Sequence, residues 1–482
     1  MGVGIVGYGV YLPKYRLKRE EIGRFWKTRG SGENCIRQPD EDIYTMAVES
    51  ALNAVFHSGL TDLSKLGVVY LGVGSSPCLE NTPIGILADC LDLSKEIDLC
   101  DFTSSTRASF AGLKCCIDAI NAGRKENGLV IAAECRQASL GSPMELYAGC
   151  GAAGFVLGKE GVIAEIEETF TVSDVFYDRW SFPSEPNLKE YEPRYTQAYG
   201  YHDHVIKAVK TFLSRTSVRL DDFDHVAIHQ FDTRNMKKLE KSLGLKPNKL
   251  ESSNIFDEIG DLGAASTFMK LCAVLDKANP GERILTVGYG GGICDIISLK
   301  VTSEIEKRKK RLRKVEEYVK TKDYIDYDEV LRRTAELRAD QKPFKLGVPP
   351  TSPSLWRDGE SIRRLKGAQC KKCGYVNYPP TLRKICIKCG GVDFKETKLS
   401  TKGKIHTFCV NVYLPNPMLG PLPIIIGDLD DGNRFRAHGT EFVPGKCNVG
   451  MNVELVIRRL IAEDGVGIYG YCFRPTRFDE NS

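Results

Sequence analysis

Along the first part of the chain, short continuous apolar runs alternate with one-sided helical stripes, the pattern of a sheet covered on both faces by helices. Strands are predicted over residues 3–12, ending at Pro13, and over 68–73, 129–133 and the small-residue stretch 149–158. Helices are predicted from about 40 to 57, with Ile43, Met46, Ala47, Ala51 and Val55 inward, and over 81–91 and 111–122, where Phe110, Leu113, Ile117 and Ile120 share a face. The order then repeats as helix 202–213, strand 225–229, helices 233–243 and 261–277, and strand 284–288. Duplication of an α/β unit brings equivalent strand ends together. The loops after Val73 and His229 and the helix starts at Thr106 and Asp261 are therefore expected to face one cleft.

Charge dominates residues 304–340, and the basic run 307–314 reads as a solvated helix leading out of the first domain rather than a nucleic-acid tract. Pro343, Pro349, Pro350 and Pro353 mark a linker. Beyond it, Cys370-Lys371-Lys372-Cys373 and Cys386-Ile387-Lys388-Cys389 form two CxxC pairs with 12 residues between them. Four thiolates close a tetrahedral site and leave no open position, which predicts a structural zinc ion. Alternating stretches at 404–413, 422–429, 435–440, 452–457 and 467–473, separated by Gly and Pro turns, predict a small β-barrel of the OB type.

At 482 residues the chain has room for two or three domains, and a net charge of +4 gives no reason to expect nucleic acid or a membrane surface as partner. No apolar run approaches the roughly 20 residues of a membrane span. The start of the chain lacks a basic, cleavable leader pattern, so a cytoplasmic location is expected. Most of the 17 cysteines are scattered through apolar segments, as reduced, buried residues would be.

Candidate chemistry centres on Ser104, Ser105 and Thr106, small hydroxyl residues just ahead of the helix at 111–122. Free backbone N–H groups at a helix start stabilise a developing anion, so this is where a nucleophile or an oxyanion is held. A thiol is the side chain such a site ionises most readily, and the chain has none there.

Residues 1 to about 335 resemble the archaeal and bacterial branch of hydroxymethylglutaryl-CoA synthase, within the thiolase superfamily. The resemblance rests on Gly4-Ile5-Val6-Gly7-Tyr8-Gly9-Val10-Tyr11-Leu12-Pro13-Lys14-Tyr15-Arg16, Glu41-Asp42 with Met46-Ala47-Val48-Glu49, Arg194-Tyr195-Thr196 with Tyr201 and His204-Val205, and Asp323-Tyr324-Ile325-Asp326-Tyr327. Residues 352–478 resemble the DUF35 family of zinc-ribbon and OB-fold proteins, which sit on thiolase-like partners. Together these imply a duplicated thiolase-like αβαβα fold followed by a zinc ribbon and an OB barrel. The expected bounds are 1–165 and 166–302 for the two halves, 303–351 for a charged tail and linker, 352–395 for the ribbon and 396–482 for the barrel.

The family's chemistry uses a cysteine that carries the acyl group, a glutamate that moves a proton on the attacking carbon, and a histidine near the second thioester. The resemblance lays the histidine on His229, the cysteine on Thr106, and the glutamate on Gly74 or Ser75, with Glu80 the nearest carboxylate. Thr106 then either keeps a modified catalytic role, with His229 as its base, or packs inertly, and Cys115 or Cys116 either substitutes for it or lies in the core. Asp261, where the family has asparagine, is either catalytic or a helix cap. Gly290 and Gly291 allow close approach of a ligand or a neighbouring strand, and Arg194 and Lys207 are expected to contact coenzyme A. The implied function is a condensing-type acyltransferase that makes or cleaves a C–C bond next to a CoA thioester. The alternative is a non-catalytic CoA-binding subunit that serves an active thiolase or synthase. A homodimer is implied, with a thiolase-like or other CoA enzyme as a further partner.

Overall fold

The computed structural model describes residues 2–74, 76, 82–182, 185–309, 313–334, 351–414, 420–463 and 466–478. Ser75, Glu80, Asn81 at the expected helix start, and the linker prolines 343, 349 and 350 lie outside them. Chain contacts gather the protein into two compact units. Met1–Arg37, Met46–Gly85 and Leu93–Val330 form the first, and Gln38–Thr45, Ile86–Asp92 and Leu331–Ser482 the second.

The first unit is built on strands β1 (Gly4–Tyr11), β2 (Leu66–Gly72), β3 (Asp98–Phe102), β4 (Asn127–Cys135), β5 (Cys150–Gly158), β6 (Ala164–Ser173), β7 (His225–Ile228), β8 (Arg283–Gly290) and β9 (Ile293–Val301). They form one nine-stranded sheet in the order β7-β8-β9-β6-β1-β5-β4-β2-β3. Its helices include α1 (Ile43–Ser58), α2 (Ala108–Asn121), α3 (Asp203–Thr216), α4 (Thr233–Leu243) and α5 (Ser266–Leu275). The run β2-β4-β5-β1 is matched by β7-β8-β9-β6: β2 and β4 are parallel, as are β7 and β8, and an antiparallel strand follows each pair. This is the duplicated thiolase-like α/β fold.

Strands β6 and β9, which pair along their length, escape the sequence reading because polar residues such as Glu165, Glu167 and Glu168 interrupt their apolar pattern. The helix expected from Asp261 begins at Ser266, because a single 3-10 turn at Gly263–Ala265 intervenes.

Two helices at the centre are pressed against the sheet. All of α5 is buried, and Phe268 lies 5.6 Å from the Phe110 ring of α2 and 4.7 Å from Phe155 of β5. The predicted inner face of α2 (Phe110, Leu113, Ile117, Ile120) is buried. Cys116 is buried too, while Cys115 is exposed, so the core placement weighed for both holds only for Cys116. The α2 face approaches β8 so closely that a Cβ at Gly288 would stand 2.4 Å from Phe110 Cε2. Only glycine fits there.

The charged segment after β9 departs from the expected solvated helix. It contains short helices Glu304–Arg308, Val315–Lys320 and Tyr327–Thr334, and Arg313 and Lys314 of the basic run lie outside them. Val315, Tyr318 and Tyr327 are buried, and the Val315 N–H donates to Asp276 Oδ2 at 2.7 Å. Apolar residues spaced among the lysines and arginines pin the segment down. Pro353, expected in a linker, instead occupies the first turn of a helix, Ser352–Arg363, where its missing N–H costs nothing.

In the second unit, strands Lys366–Cys370, Val376–Asn377 and Phe394–Lys398 form a ribbon. Its two CxxC turns repeat one hydrogen-bond pattern. The Gly374 N–H donates to the Cys370 carbonyl and the Gly390 N–H to that of Cys386, both at 2.9 Å, and both glycines have positive φ (75° and 70°). The four sulfurs lie within 4.8 Å of one another. A tetrahedral zinc with Zn–S bonds of 2.3 Å needs sulfurs roughly 3.8 Å apart, so the cluster fits the ion.

Strands β10 (Lys402–Asn411), β11 (Leu422–Leu429), β12 (Arg434–His438), β13 (Asn452–Glu463) and β14 (Val466–Pro475) follow, in the order β12-β11-β10-β13-β14. A bridge from Gly439 to Phe473 joins the two ends of this sheet and leaves a nearly closed barrel. Among the described residues, no helix is long and apolar enough to cross a membrane.

Zinc analysis of the purified protein is expected to find one ion per chain, lost in Cys386→Ser. Because structural zinc contributes about 10–16 kcal/mol to folding such a site, chelation should abolish hydrogen-exchange protection at Gly374 and Gly390. Protection that survives chelation contradicts a structural metal.

Candidate functional site

The loop before α2 is held from several directions. Ser104 takes a left-handed backbone (φ 76°), costly for a residue with a Cβ, and the Ser105 carbonyl accepts from the Ala108 N–H at 3.0 Å. The Thr106 hydroxyl donates to the Tyr289 carbonyl of β8 at 2.6 Å. A Cβ at Gly290 would stand 2.5 Å from both Ser105 Oγ and Thr106 Oγ1, so this glycine serves close approach of the loop; Gly291 (φ 60°) faces open space. Arg107 Nε and Lys114 Nζ each lie 2.5 Å from carboxylate oxygens of the buried Asp295. Burial pushes the Asp295 carboxyl up, but Arg107 and Lys114 outweigh it and hold the group below the usual carboxylate range.

On the other side of β8, the His229 N–H donates to the Val287 carbonyl at 2.9 Å. Its ring is fully buried, 4.7 Å from that of Phe231, and neither ring nitrogen has a hydrogen-bond partner among the described residues. No hydroxyl–imidazole hydrogen bond therefore joins Thr106 to His229. Burial lowers the His229 pKa to about 4, with Asp261 opposing and Arg136, Arg179 and Lys270 adding to the shift. The imidazole is neutral at pH 7.

Of the two roles weighed for Asp261, the structure displays the cap, and the second carboxylate oxygen pairs with an arginine. Oδ1 accepts from the Gly263 N–H at 2.9 Å and from Ser266 Oγ at 3.0 Å, capping the turn ahead of α5, while Oδ2 lies 3.2 Å from Arg136 Nη2. Burial raises its carboxyl, but Arg136, His229 and Arg179 more than offset this and hold it low. Lys270, the one charged residue of α5, donates to Gln230 Oε1 at 2.6 Å, and burial pulls its pKa down to about 8.

Glu134, at the carboxyl end of β4, is a buried carboxylate that the sequence reading passes over. Its Oε2 accepts from the Gly74 N–H at 2.7 Å. A Cβ at Gly74 would lie 2.3 Å from that oxygen and 3.8 Å from the Ser105 carbonyl carbon, and one at Gly263 would lie 2.9 Å from it. Glu134 thus stands between the Thr106 loop and the Asp261 turn. Arg136 and Arg179 also went unnoticed. The signal for the first two was a carboxylate and a guanidinium directly after the apolar run 129–133, at the strand end where such folds bind ligands.

A small cavity of about 60 Å³ is lined by residues that include Arg136, Tyr147, Arg179, Phe231 and Asp261. A larger one of about 560 Å³ is lined by Arg19, Arg24, Thr28, Arg29, Tyr147 and their neighbours. Arg194 and Lys207 are exposed and line neither.

The 3-oxoacyl-[acyl-carrier-protein (ACP)] synthase III C-terminal family matches residues 213–295, and the ChsH2 rubredoxin-like zinc ribbon domain matches 357–394. The chain is 32% identical over 345 residues to hydroxymethylglutaryl-CoA synthase of Methanopyrus kandleri, covering 70% of this chain and 98% of that enzyme. Against the same enzyme of Methanothermobacter thermautotrophicus it is 34% identical over 336 residues, covering 67% and 96%. A crystal structure of HMG-CoA synthase complexed with CoA has the same fold over 69% of this chain and 90% of its own, with a TM-score of 0.62 at 17% identity. Sequence shared at this level across nearly the whole length of the synthases, on a duplicated sheet of the same fold, shows that the chain belongs to the hydroxymethylglutaryl-CoA synthase family.

Proposed function

We propose that this protein is an acyl-CoA condensing enzyme that makes or cleaves a carbon–carbon bond beside the thioester without an acyl-enzyme. The observation that carries this reading is His229: a neutral, buried imidazole with two unpartnered nitrogens, beside charged groups at the converging strand ends. Buried polar atoms left unpaired cost about 1–3 kcal/mol each, and a bound carbonyl oxygen, accepting from the one protonated ring nitrogen, recovers that nitrogen's share. In the forward direction Glu134 takes a proton from the carbon next to the thioester, and the electron pair adds to a ketone carbonyl. The alkoxide so formed is reprotonated to a 3-hydroxyacyl-CoA. No oxidant, water or thiol nucleophile is consumed.

Thr106, standing where the resemblance lays the family's cysteine, acts in this reading as a positioning residue, since its hydroxyl is already given to Tyr289. That same bond favours the second reading, a CoA-binding subunit without chemistry of its own, because a hydroxyl held this way has no base to activate it. Arg24 and Arg29 form no ion pair among the described residues and line the larger cavity, which shares Tyr147 with the smaller one. We assign the phosphates of coenzyme A to them rather than to Arg194 and Lys207.

In D2O the protein is expected to exchange the methyl protons of acetyl-CoA, and Glu134→Gln to slow this about 100-fold or more while CoA still binds. Exchange that persists in Glu134→Gln contradicts the assigned base. Bound CoA with no exchange in the unaltered protein favours the subunit reading.

The His229 shift sets a stability window. Above pH 6.5 neither the folded nor the unfolded imidazole is protonated. As pH falls from 6.5 towards about 4, the unfolded chain takes up a proton that the folded one refuses, so stability is lost. The stability difference between the unaltered protein and His229→Gln, read from urea midpoints, should be flat above pH 6.5 and fall by roughly 3 kcal/mol below it. A difference that is constant down to pH 4 contradicts a buried, neutral ring.

A further inference from the structure

We propose that Cys135 and Cys150 are a reversible oxidation site: a hydroperoxide closes a disulfide between them, and the bond slows the chemistry at the strand ends. The disulfide stands on the geometry of two strands, while its effect on catalysis rests on the acyl-CoA reading above. Cys135 is the last residue of β4 and Cys150 the first of β5, and they lie directly opposite each other in the antiparallel register. In no other described strand pairing does a cysteine face a cysteine.

The kind of pair decides whether a bond can close. One step beyond the cysteines, the Arg136 N–H donates to the Gly149 carbonyl opposite it at 3.1 Å. Residues 136 and 149 are therefore a hydrogen-bonded pair, and Cys135 with Cys150 is a non-hydrogen-bonded one. Cα atoms of such a pair stand about 4.5 Å apart, inside the roughly 4.4–6.8 Å that a disulfide spans. Cys150 is buried and Cys135 half-buried, so Cys135 meets the oxidant first. Its sulfur attacks the O–O bond of hydrogen peroxide, an S–O bond forms and one water leaves. The Cys150 sulfur then displaces the sulfenic hydroxyl as a second water. Two thiols lose two electrons and two protons in all, and a dithiol reverses the bond by exchange.

The bond reaches the site through the pleat of the sheet. Cys135 lies between Glu134 and Arg136, whose side chains project from the opposite face. There a Cβ at Gly263 would stand 2.6 Å from Glu134 Cγ and 2.8 Å from Arg136 Cδ, so both side chains are closely packed. On the other strand the Gly149 N–H, beside Cys150, donates to the Asp261 carbonyl at 3.0 Å. Facing Cβ atoms stand about 4.5–5.5 Å apart across a sheet and about 3.8 Å apart in a disulfide, so closure draws the two strand ends together by roughly 1 Å. A shift of about 1 Å near reacting atoms costs up to about 100-fold in rate.

To test this, the full chain is treated with hydrogen peroxide, quenched with catalase, blocked at its remaining thiols and mapped as unreduced peptides by mass spectrometry. A peptide pair joined through Cys135 and Cys150 is expected, and dithiothreitol should remove it. Oxidation of other thiols without this link overturns the proposal, as does a link from Cys135 to a different cysteine. In the same samples, exchange of the acetyl-CoA methyl protons in D2O should fall about tenfold or more on oxidation and recover with dithiothreitol. Cys135→Ala and Cys150→Ala should keep their rates in peroxide. Exchange that is unchanged when the link has formed fully overturns the effect on catalysis. Absence of exchange in the reduced protein overturns the catalytic reading and that effect with it, and the peptide map alone then decides the oxidation site.

Discussion

Strand β8 carries no side chain at 288 or 290, and the geometry of the site depends on that absence. Gly288 admits the Phe110 ring, and Gly290 admits Ser105 and Thr106, at distances that no Cβ would allow. With the start of α2 pressed onto β8, the Thr106 hydroxyl reaches a strand carbonyl, and Arg107 and Lys114 reach Asp295 on β9. The duplicated halves are thereby locked along one seam. The ends of β4, β7 and β8 and the turn before α5 are brought to the same place, and the functional groups follow from their positions on those ends.

What the seam encloses is an unusual concentration of buried polarity. Glu134, Arg136, His229, Asp261 and Lys270 sit among aromatic and aliphatic side chains, and their charges answer one another only in part. Asp261 is kept ionised by its arginines, while His229 is kept neutral by burial. A protein selected for stability alone gains little from such a cluster, because apolar replacements of similar volume are often as stable or more so. This cluster lies at the strand ends, where folds of this class bind their ligands. The zinc ribbon obeys a different logic: four thiolates close a site with no open coordination position, so the metal there holds shape rather than performing chemistry.

Much of this was legible in the chain. Continuous apolar runs gave the buried strands β1, β2, β4 and β5, the 3.6-residue stripe gave the inner face of α2, and cysteine spacing gave the metal cluster. Strands β6 and β9 were hidden because their polar residues break the apolar run, and the tail was misjudged because its net charge masks the few apolar residues that anchor it. At the site, His229, Asp261, Thr106 and Gly290 could be located from the repeat and the resemblance. Glu134 and Arg136 could not, since their role depends on how close Gly74, Gly263 and the Thr106 loop come in space. Charged residues at the end of an apolar strand are the trace that such packing leaves in a sequence.

The central claim is that two related halves form a thioester site in which His229 holds a carbonyl and no protein-bound acyl group is made. A crystal structure of the protein with acetyl-CoA tests it most directly. The account predicts an intact thioester whose carbonyl oxygen lies within hydrogen-bonding distance of a His229 ring nitrogen, with Thr106 still bonded to Tyr289. Acyl density continuous with Thr106 Oγ1, or a thioester bound away from His229, would contradict it.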